Sequence, residues 1–161
     1  MRVGQAFDVH PFVSNRRLIL GGVEIPYEYG LAGHSDADVV LHVIGDALLG
    51  AAGLGDMGRY FPDTDQKFKD ISSGLLLKQV IARLKDYKIL NVDITIIAER
   101  PKLLPYFDRI TESVAALLAL PIGDVNVKAK TCEKMGFIGR GEGIAAMAVV
   151  LINERYHGTN A

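Results

Sequence analysis

The chain of 161 residues has the length of one domain, and at 49% hydrophobic it can bury a core of its own. A formal net charge of −1 excludes the basic footprint of a nucleic-acid binder or of an electrostatic membrane anchor. The single cysteine, Cys132, excludes an intrachain disulfide and suits a reducing compartment.

The N-terminal stretch MRVGQAFDVHPF has neither the apolar run of a secretory signal nor an Arg/Ser-rich transit pattern. No run of about 18 apolar residues follows. The expected location is therefore the cytoplasm, with no membrane span. Residues 2–12, with Val3, Phe7, Val9 and Phe12, read as a strand. Leu18 to Pro26, LILGGVEIP, reads as a short hairpin turning on Gly-Gly. A helix is expected after Ser35, with Ser35 as its N-cap, Asp38 at the third helical position and Val39, Val43, Ala47 and Leu48 as its apolar stripe. Leu54 to Asp70 is rich in glycine and acidic residues around Pro62 and must be a loop. A helix over Ser72 to Tyr87, a strand over Ile89 to Ala98 and a helix over Tyr106 to Ala119 come next. Asp124 to Thr131 alternates as a strand, and Gly143 to Ile152 reads as a last, buried one. This order predicts an α+β domain with helices on one face of a sheet.

Three segments carry chemistry. Asp8 and His10 stand two apart in the first strand, so both side chains leave one face. If the helix after Ser35 packs beside that strand, His42 joins them. Two imidazoles and a carboxylate make a zinc ligand set with an open fourth position. Asp38 or Asp46, four residues either side of His42, can take its second N–H. The other reading stays open here: polar residues on an exposed strand face and a satisfied helix histidine. His34 and Ser35 precede the helix, where free N–H groups favour a phosphate, although Ser35 also reads simply as a cap. Lys128 to Gly143, KAKTCEKMGFIGRGEG, ends a strand in a polar cluster. There Thr131 can hold phosphate and Glu133 a hard cation such as Mg²⁺, and no P-loop spacing is present. Ala98 to Phe107, AERPKLLPYF, is a strand end with two prolines whose backbone can read a base edge or simply connect two elements. No histidine motif accompanies Cys132 to make it a nucleophile.

The stretches GQAFDVHPF, HSDADVVLH, FPDTD, NVDITIIAERPKLLP and VNVKAKTCEKMGFIGRGEGIA follow one another over nearly the whole chain. In that combination and order they closely resemble the 2-C-methyl-D-erythritol 2,4-cyclodiphosphate synthase family of the non-mevalonate isoprenoid pathway. Cys132 and Lys130 depart from the residues common there, while Thr131 and Glu133 match.

The resemblance implies one domain over residues 1–161. It would have a mixed four-stranded sheet, helices on one face and a small β-hairpin. Three copies would surround a central β-lined cavity. It implies a cyclising phosphorus–oxygen lyase that acts on 4-diphosphocytidyl-2-C-methyl-D-erythritol 2-phosphate and releases CMP. Asp8, His10 and His42 would hold Zn²⁺, and Glu133 would hold Mg²⁺ or Mn²⁺ at the diphosphate. His34 and Thr131 would stabilise the transition state, with Ser35 adding an N–H. Asp56, Met57 and Gly58, with Phe61, Pro62, Asp63, Thr64 and Asp65, would hold the methylerythritol 2-phosphate. Ala98, Glu99, Arg100 and Pro101, with Lys102, Leu103 and Leu104, would form the cytidine pocket. Lys130, Cys132, Phe137 and Arg140 would complete the substrate site, which would lie between subunits. Phe7 and Arg140 would line the trimer cavity, where some members bind an isoprenoid diphosphate; Met147 replaces an acidic residue found there in others. A metal phosphohydrolase and a non-catalytic metal- or isoprenoid-diphosphate-binding trimer are the competing readings.

Overall fold

Alternation decides the first strand. In β1 (Arg2–Val13), Gly4, Ala6, Asp8 and His10 turn inward while Val3, Gln5, Phe7 and Val9 turn out. The next two strands, β2 (Leu18–Leu20) and β3 (Val23–Ile25), form the expected hairpin. Gly21 and Gly22 both take positive φ, 59° and 78°, which is what a two-residue hairpin turn of primed type demands. Two residues, Gly30–Leu31, form β4, and α1 (Val39–Ala52) follows. After the loop come α2 (Ser73–Arg83), β5 (Tyr87–Ile97), α3 (Phe107–Leu118) and β6 (Val125–Lys130). A single turn of helix, α4 (Gly136–Gly139), then leads into β7 (Gly143–Glu154). The computed structural model describes residues 1–155; residues 156–161, which the single-domain reading included, lie outside the described residues.

The main sheet has five strands in the order β4-β1-β7-β5-β6, not four. The additional strand, β4, pairs with the end of β1 through Phe12 and Leu31. Two residues are too few to leave a periodic signal, so the sequence could not announce it. All pairings are antiparallel except β5 with β6, so the sheet is mixed as expected.

Helix α1 lies tight against β1. A Cβ at Gly4 would stand 1.9 Å from the Ala47 carbonyl oxygen, so only glycine allows this approach. The core joins Leu41, Ile44 and Leu48 of α1 to Ile94, Ile144 and Val150 of the sheet, all fully buried. Among the described residues the opposite sheet face carries no helix, and it mixes exposed apolar side chains, with Val3 65% exposed, Phe7 52% and Val149 42%, with the polar partners of Val149, Gln5 and Asp93. Among the described residues, no helix is long and apolar enough to cross a membrane.

Candidate active site

Asp8 and His10 leave β1 on the face that α1 covers, and His42, the fourth residue of α1, turns back toward them. His10 Nε2 lies 2.9 Å from Asp8 Oδ2. His42 Nδ1 lies 3.2 Å from His10 Nε2 and 3.5 Å from Asp8 Oδ2. Among the described residues, this is the one group of three side chains whose atoms converge as a metal would require.

The outer side of His10 decides what its inner side offers. Its Nδ1 lies 2.6 Å from the Ala32 carbonyl oxygen, which can only accept. The proton therefore sits on Nδ1, and Nε2 aims a lone pair at the Asp8 carboxylate. Two acceptors 2.9 Å apart need a proton or a cation between them. Without a metal a proton serves. Burial alone would lower the His10 pKa, but Asp8 and the Ala32 carbonyl overcome it and raise the value. Burial alone would raise Asp8, but its bond with the His10 imidazole, the largest opposing influence, holds it well below the usual carboxylate range. With no thiolate, two nitrogens and one oxygen, the set fits zinc with a position left for substrate.

These three residues floor a cavity of about 290 Å³. Of the expected substrate residues, His34, Ser35, Met57, Gly58, Phe61 and Asp63 also line it. Asp65 stands behind His34, its carbonyl 3.2 Å from His34 Nε2, and its side chain caps a short 3-10 turn. Asp56 accepts the Arg59 N–H in a local turn, and Pro62 and Thr64 face solvent. Asp46, expected only as a partner for His42, also lines the cavity; burial raises its pKa against the Met57 N–H it accepts.

Two expectations need correction. The N-cap of α1 is Asp38, not Ser35, and its carboxylate accepts the N–H groups of Val40 and Leu41. A protein carboxylate thus occupies first-turn donors that a phosphate was expected to meet. Asp38 also accepts the N–H groups of Gly21 and Gly22 at 2.8 and 2.6 Å, tying the hairpin to the helix. It is fully buried, and burial outweighs these bonds to push its pKa up to about 6. Consequently Asp38 does not reach His42, and Asp46 is engaged by Met57. His42 Nε2 instead meets Ser73 Oγ at 2.9 Å and Ser35 Oγ at 3.1 Å. Ser73 opens α2 and lies 2.5 Å from Asp36 Oδ1. Neither Ser73 nor Asp36 was foreseen; Asp36 within HSDAD, next to the metal segment, was the available signal.

The remaining predicted residues gather elsewhere. Glu99, Arg100, Pro101, Lys102 and Arg140 line an open cleft of about 850 Å³ beyond the ends of β5 and β6. Ala98 and Leu103 are buried beneath it and Leu104 is exposed. Glu99 Oε1 accepts the N–H groups of Cys132 and Lys134 at 2.8 and 3.1 Å, which fixes the turn after β6. In that turn Thr131 donates to Glu133 Oε1 at 2.7 Å, while Lys130 ends the strand. Glu133 has a positive φ of 50°, and Phe137 is half exposed in α4. No described residue lines both the cleft and the metal cavity.

The model of the YgbB family matches residues 1–153. The 2-C-methyl-D-erythritol 2,4-cyclodiphosphate synthase of Thiobacillus denitrificans is 62% identical over 154 residues, covering 94% of this chain and 96% of that protein. The enzyme of the same name from Bacillus subtilis is 56% identical over 155 residues, covering 95% and 98%. Among solved structures, bifunctional IspDF from Campylobacter jejuni superposes with a TM-score of 0.92 at 45% identity, over 96% of this chain and 42% of that one. A CDP-bound 2C-methyl-D-erythritol-2,4-cyclodiphosphate synthase gives 0.85 at 34% identity, over 94% and 100%. The CDP complex of Plasmodium falciparum IspF gives 0.82 at 33% identity, over 96% of each chain.

Proposed function

This chain belongs to the YgbB family, that of the 2-C-methyl-D-erythritol 2,4-cyclodiphosphate synthases, and from that membership we propose that it cyclises 4-diphosphocytidyl-2-C-methyl-D-erythritol 2-phosphate with release of CMP. The 2-phosphate oxygen forms a bond to the β-phosphorus. The bond from that phosphorus to the oxygen of the α-phosphate breaks, and CMP leaves with the electron pair. The attacking atom belongs to the substrate, so no protein nucleophile is required. The protein's work is to position the two phosphates and to neutralise charge.

Asp8, His10 and His42 would hold a zinc ion, which when bound supplies Lewis acidity to a phosphate oxygen. Glu133 would hold Mg²⁺ or Mn²⁺ beside the diphosphate. His34, released from the Asp65 carbonyl, and Thr131, released from Glu133, would donate to phosphate oxygens. Ser35 would add an N–H to these, and the residues from Asp56 to Asp65 would hold the methylerythritol phosphate. Backbone groups from Ala98 to Leu104 would read the cytosine, with Lys130, Cys132, Phe137 and Arg140 at its border. The enzyme would work as a cytoplasmic homotrimer, in which the metal cavity of one subunit faces the nucleotide cleft of the next. An isoprenoid diphosphate would enter the trimer's central cavity near Phe7 and Arg140.

One observation carries this reading: three acceptor atoms from β1 and α1 converge on a cavity walled by His34 and the Met57–Asp63 loop. Phosphorus NMR of the reaction tests it. CMP and a cyclic diphosphate in equal amounts are expected. Release of inorganic phosphate would replace cyclisation with hydrolysis.

A further inference from the structure

We propose that Asp36, acting through Ser73, is a positioning residue that sets the tautomer of His42 so that its Nδ1 offers a lone pair to the metal. This rests on the metal reading above. The Asp36 carboxylate accepts the Ser73 N–H at Oδ2 (3.0 Å). Its Oδ1 accepts the Ser73 hydroxyl (2.5 Å) and the Asp38 N–H (3.3 Å). An ionised carboxylate only accepts, so the one proton of the Ser73 hydroxyl goes to Asp36. Ser73 Oγ is left only to accept, and His42 Nε2 at 2.9 Å must donate to it. The ring's single proton then sits on Nε2, and Nδ1, which faces Asp8 and His10, is bare. Ser73 has no exposed surface, so water does not compete for its hydroxyl.

The geometry makes an unusual demand on an isosteric variant. In Asp36→Asn the backbone N–H of Ser73 still donates, so the amide oxygen must stay where Oδ2 was. The amide NH₂ then faces Ser73 Oγ and donates to it. The hydroxyl proton turns to His42 Nε2 at 2.9 Å, the nearer acceptor than Ser35 Oγ at 3.2 Å, the ring proton moves to Nδ1, and the metal position is blocked. Ser73→Ala is milder, because the Ser35 hydroxyl, 3.1 Å from His42 Nε2, remains as an acceptor. Adding Ser73→Ala to Asp36→Asn should therefore recover metal binding, since the reversed relay is gone.

The test is zinc affinity by competition with a chromogenic chelator, on the full-length protein, with thermal unfolding of the metal-free forms alongside. Asp36→Asn is expected to weaken zinc binding by about 10–100-fold. Ser73→Ala should lose less, and the double variant should bind more tightly than Asp36→Asn alone. Excess zinc should restore CMP release in Asp36→Asn. A purely structural role predicts the reverse order, with the double variant at least as weak as either parent, and that order would overturn the proposal. So would an affinity within about twofold of wild type in Asp36→Asn. Should wild type hold no zinc and match His10→Ala, the metal reading itself fails and takes this inference with it. Should wild type hold zinc and His10→Ala lose it, the order of the Asp36 and Ser73 variants judges the relay alone.

Discussion

Asp38 is the residue on which two elements depend. Its two oxygens take four backbone N–H groups, two from the first turn of α1 and two from the Gly21-Gly22 turn. Asp38→Ala removes the helix cap, worth about 1 kcal/mol, and strands buried donors at about 1–3 kcal/mol each. A loss of about 3–5 kcal/mol in urea unfolding is expected, and a loss under about 1 kcal/mol would contradict this accounting. At this scale the sequence was half readable. Asp8 and His10 were legible because a strand repeats every second residue, and His42 because a single helix had to carry it past them. Ser73 was not, because it meets His42 across 31 residues of chain and only the packing of α2 on α1 joins them. Ser35 was misplaced as a cap because Ser35 and Asp38 are both good capping residues. Which one is buried against a distant hairpin is a tertiary fact.

Among the elements, the seam between β1 and α1 would set the geometry of the proposed metal site, because one carries two of the candidate ligands and the other the third. Gly4→Ala would drive a methyl into the Ala47 carbonyl and the Ala51 nitrogen, at 1.9 and 2.7 Å, where the backbone has no room to yield. A loss of about 3 kcal/mol or more is expected in chemical unfolding. Gly45→Ala makes a useful contrast. The three atoms nearest its Cβ all belong to the Met57 side chain, the sulfur at 2.4 Å, and that flexible side chain can move. Stability should change by less than about 1 kcal/mol, while KM rises because Met57 lines the cavity. The far edge of the sheet adds a pH effect. Lys128, and then Asn126, hold the Asp93 carboxyl below its ordinary 3.8. A depressed folded value stabilises above pH 3.8 and is lost as pH falls through it. The stability gap between wild type and Asp93→Asn should therefore shrink between about pH 5 and pH 2. It should stay under about 1 kcal/mol, because the pair is half exposed. A gap that widens toward acid would refute the assignment. Long strands with alternating or continuous apolar residues were readable in advance to within two residues. The two-residue β4 and the single turn of α4 were not, since neither is long enough to show a period.

The whole molecule poses a problem that one chain does not solve. Among the described residues the metal cavity and the basic cleft have no lining residue in common, yet the proposed reaction needs both on one diphosphate. His10 pairs with Ile144 and Ile97 with Ala145, so both groups sit at the same end of the sheet, on opposite sides of β7. The face between them leaves Phe7, Val9, Met147 and Val149 exposed among polar neighbours such as Gln5 and Asp93, as a surface awaiting other copies of the chain would. If each active site draws its metal from one subunit and its phosphate loop from the next, two inactive variants should repair one another. His42→Ala lacks the metal half and keeps Glu133; Glu133→Ala lacks the loop half and keeps His42. Unfolding and reassembling the two in equal amounts gives each interface an independent choice of subunits, so about a quarter of sites receive both intact halves. CMP release near that fraction of wild type is expected from the mixture, with each parent alone inactive. If every site lies within one chain, the mixture would stay as inactive as its parents, and the shared-site assembly would have to be abandoned.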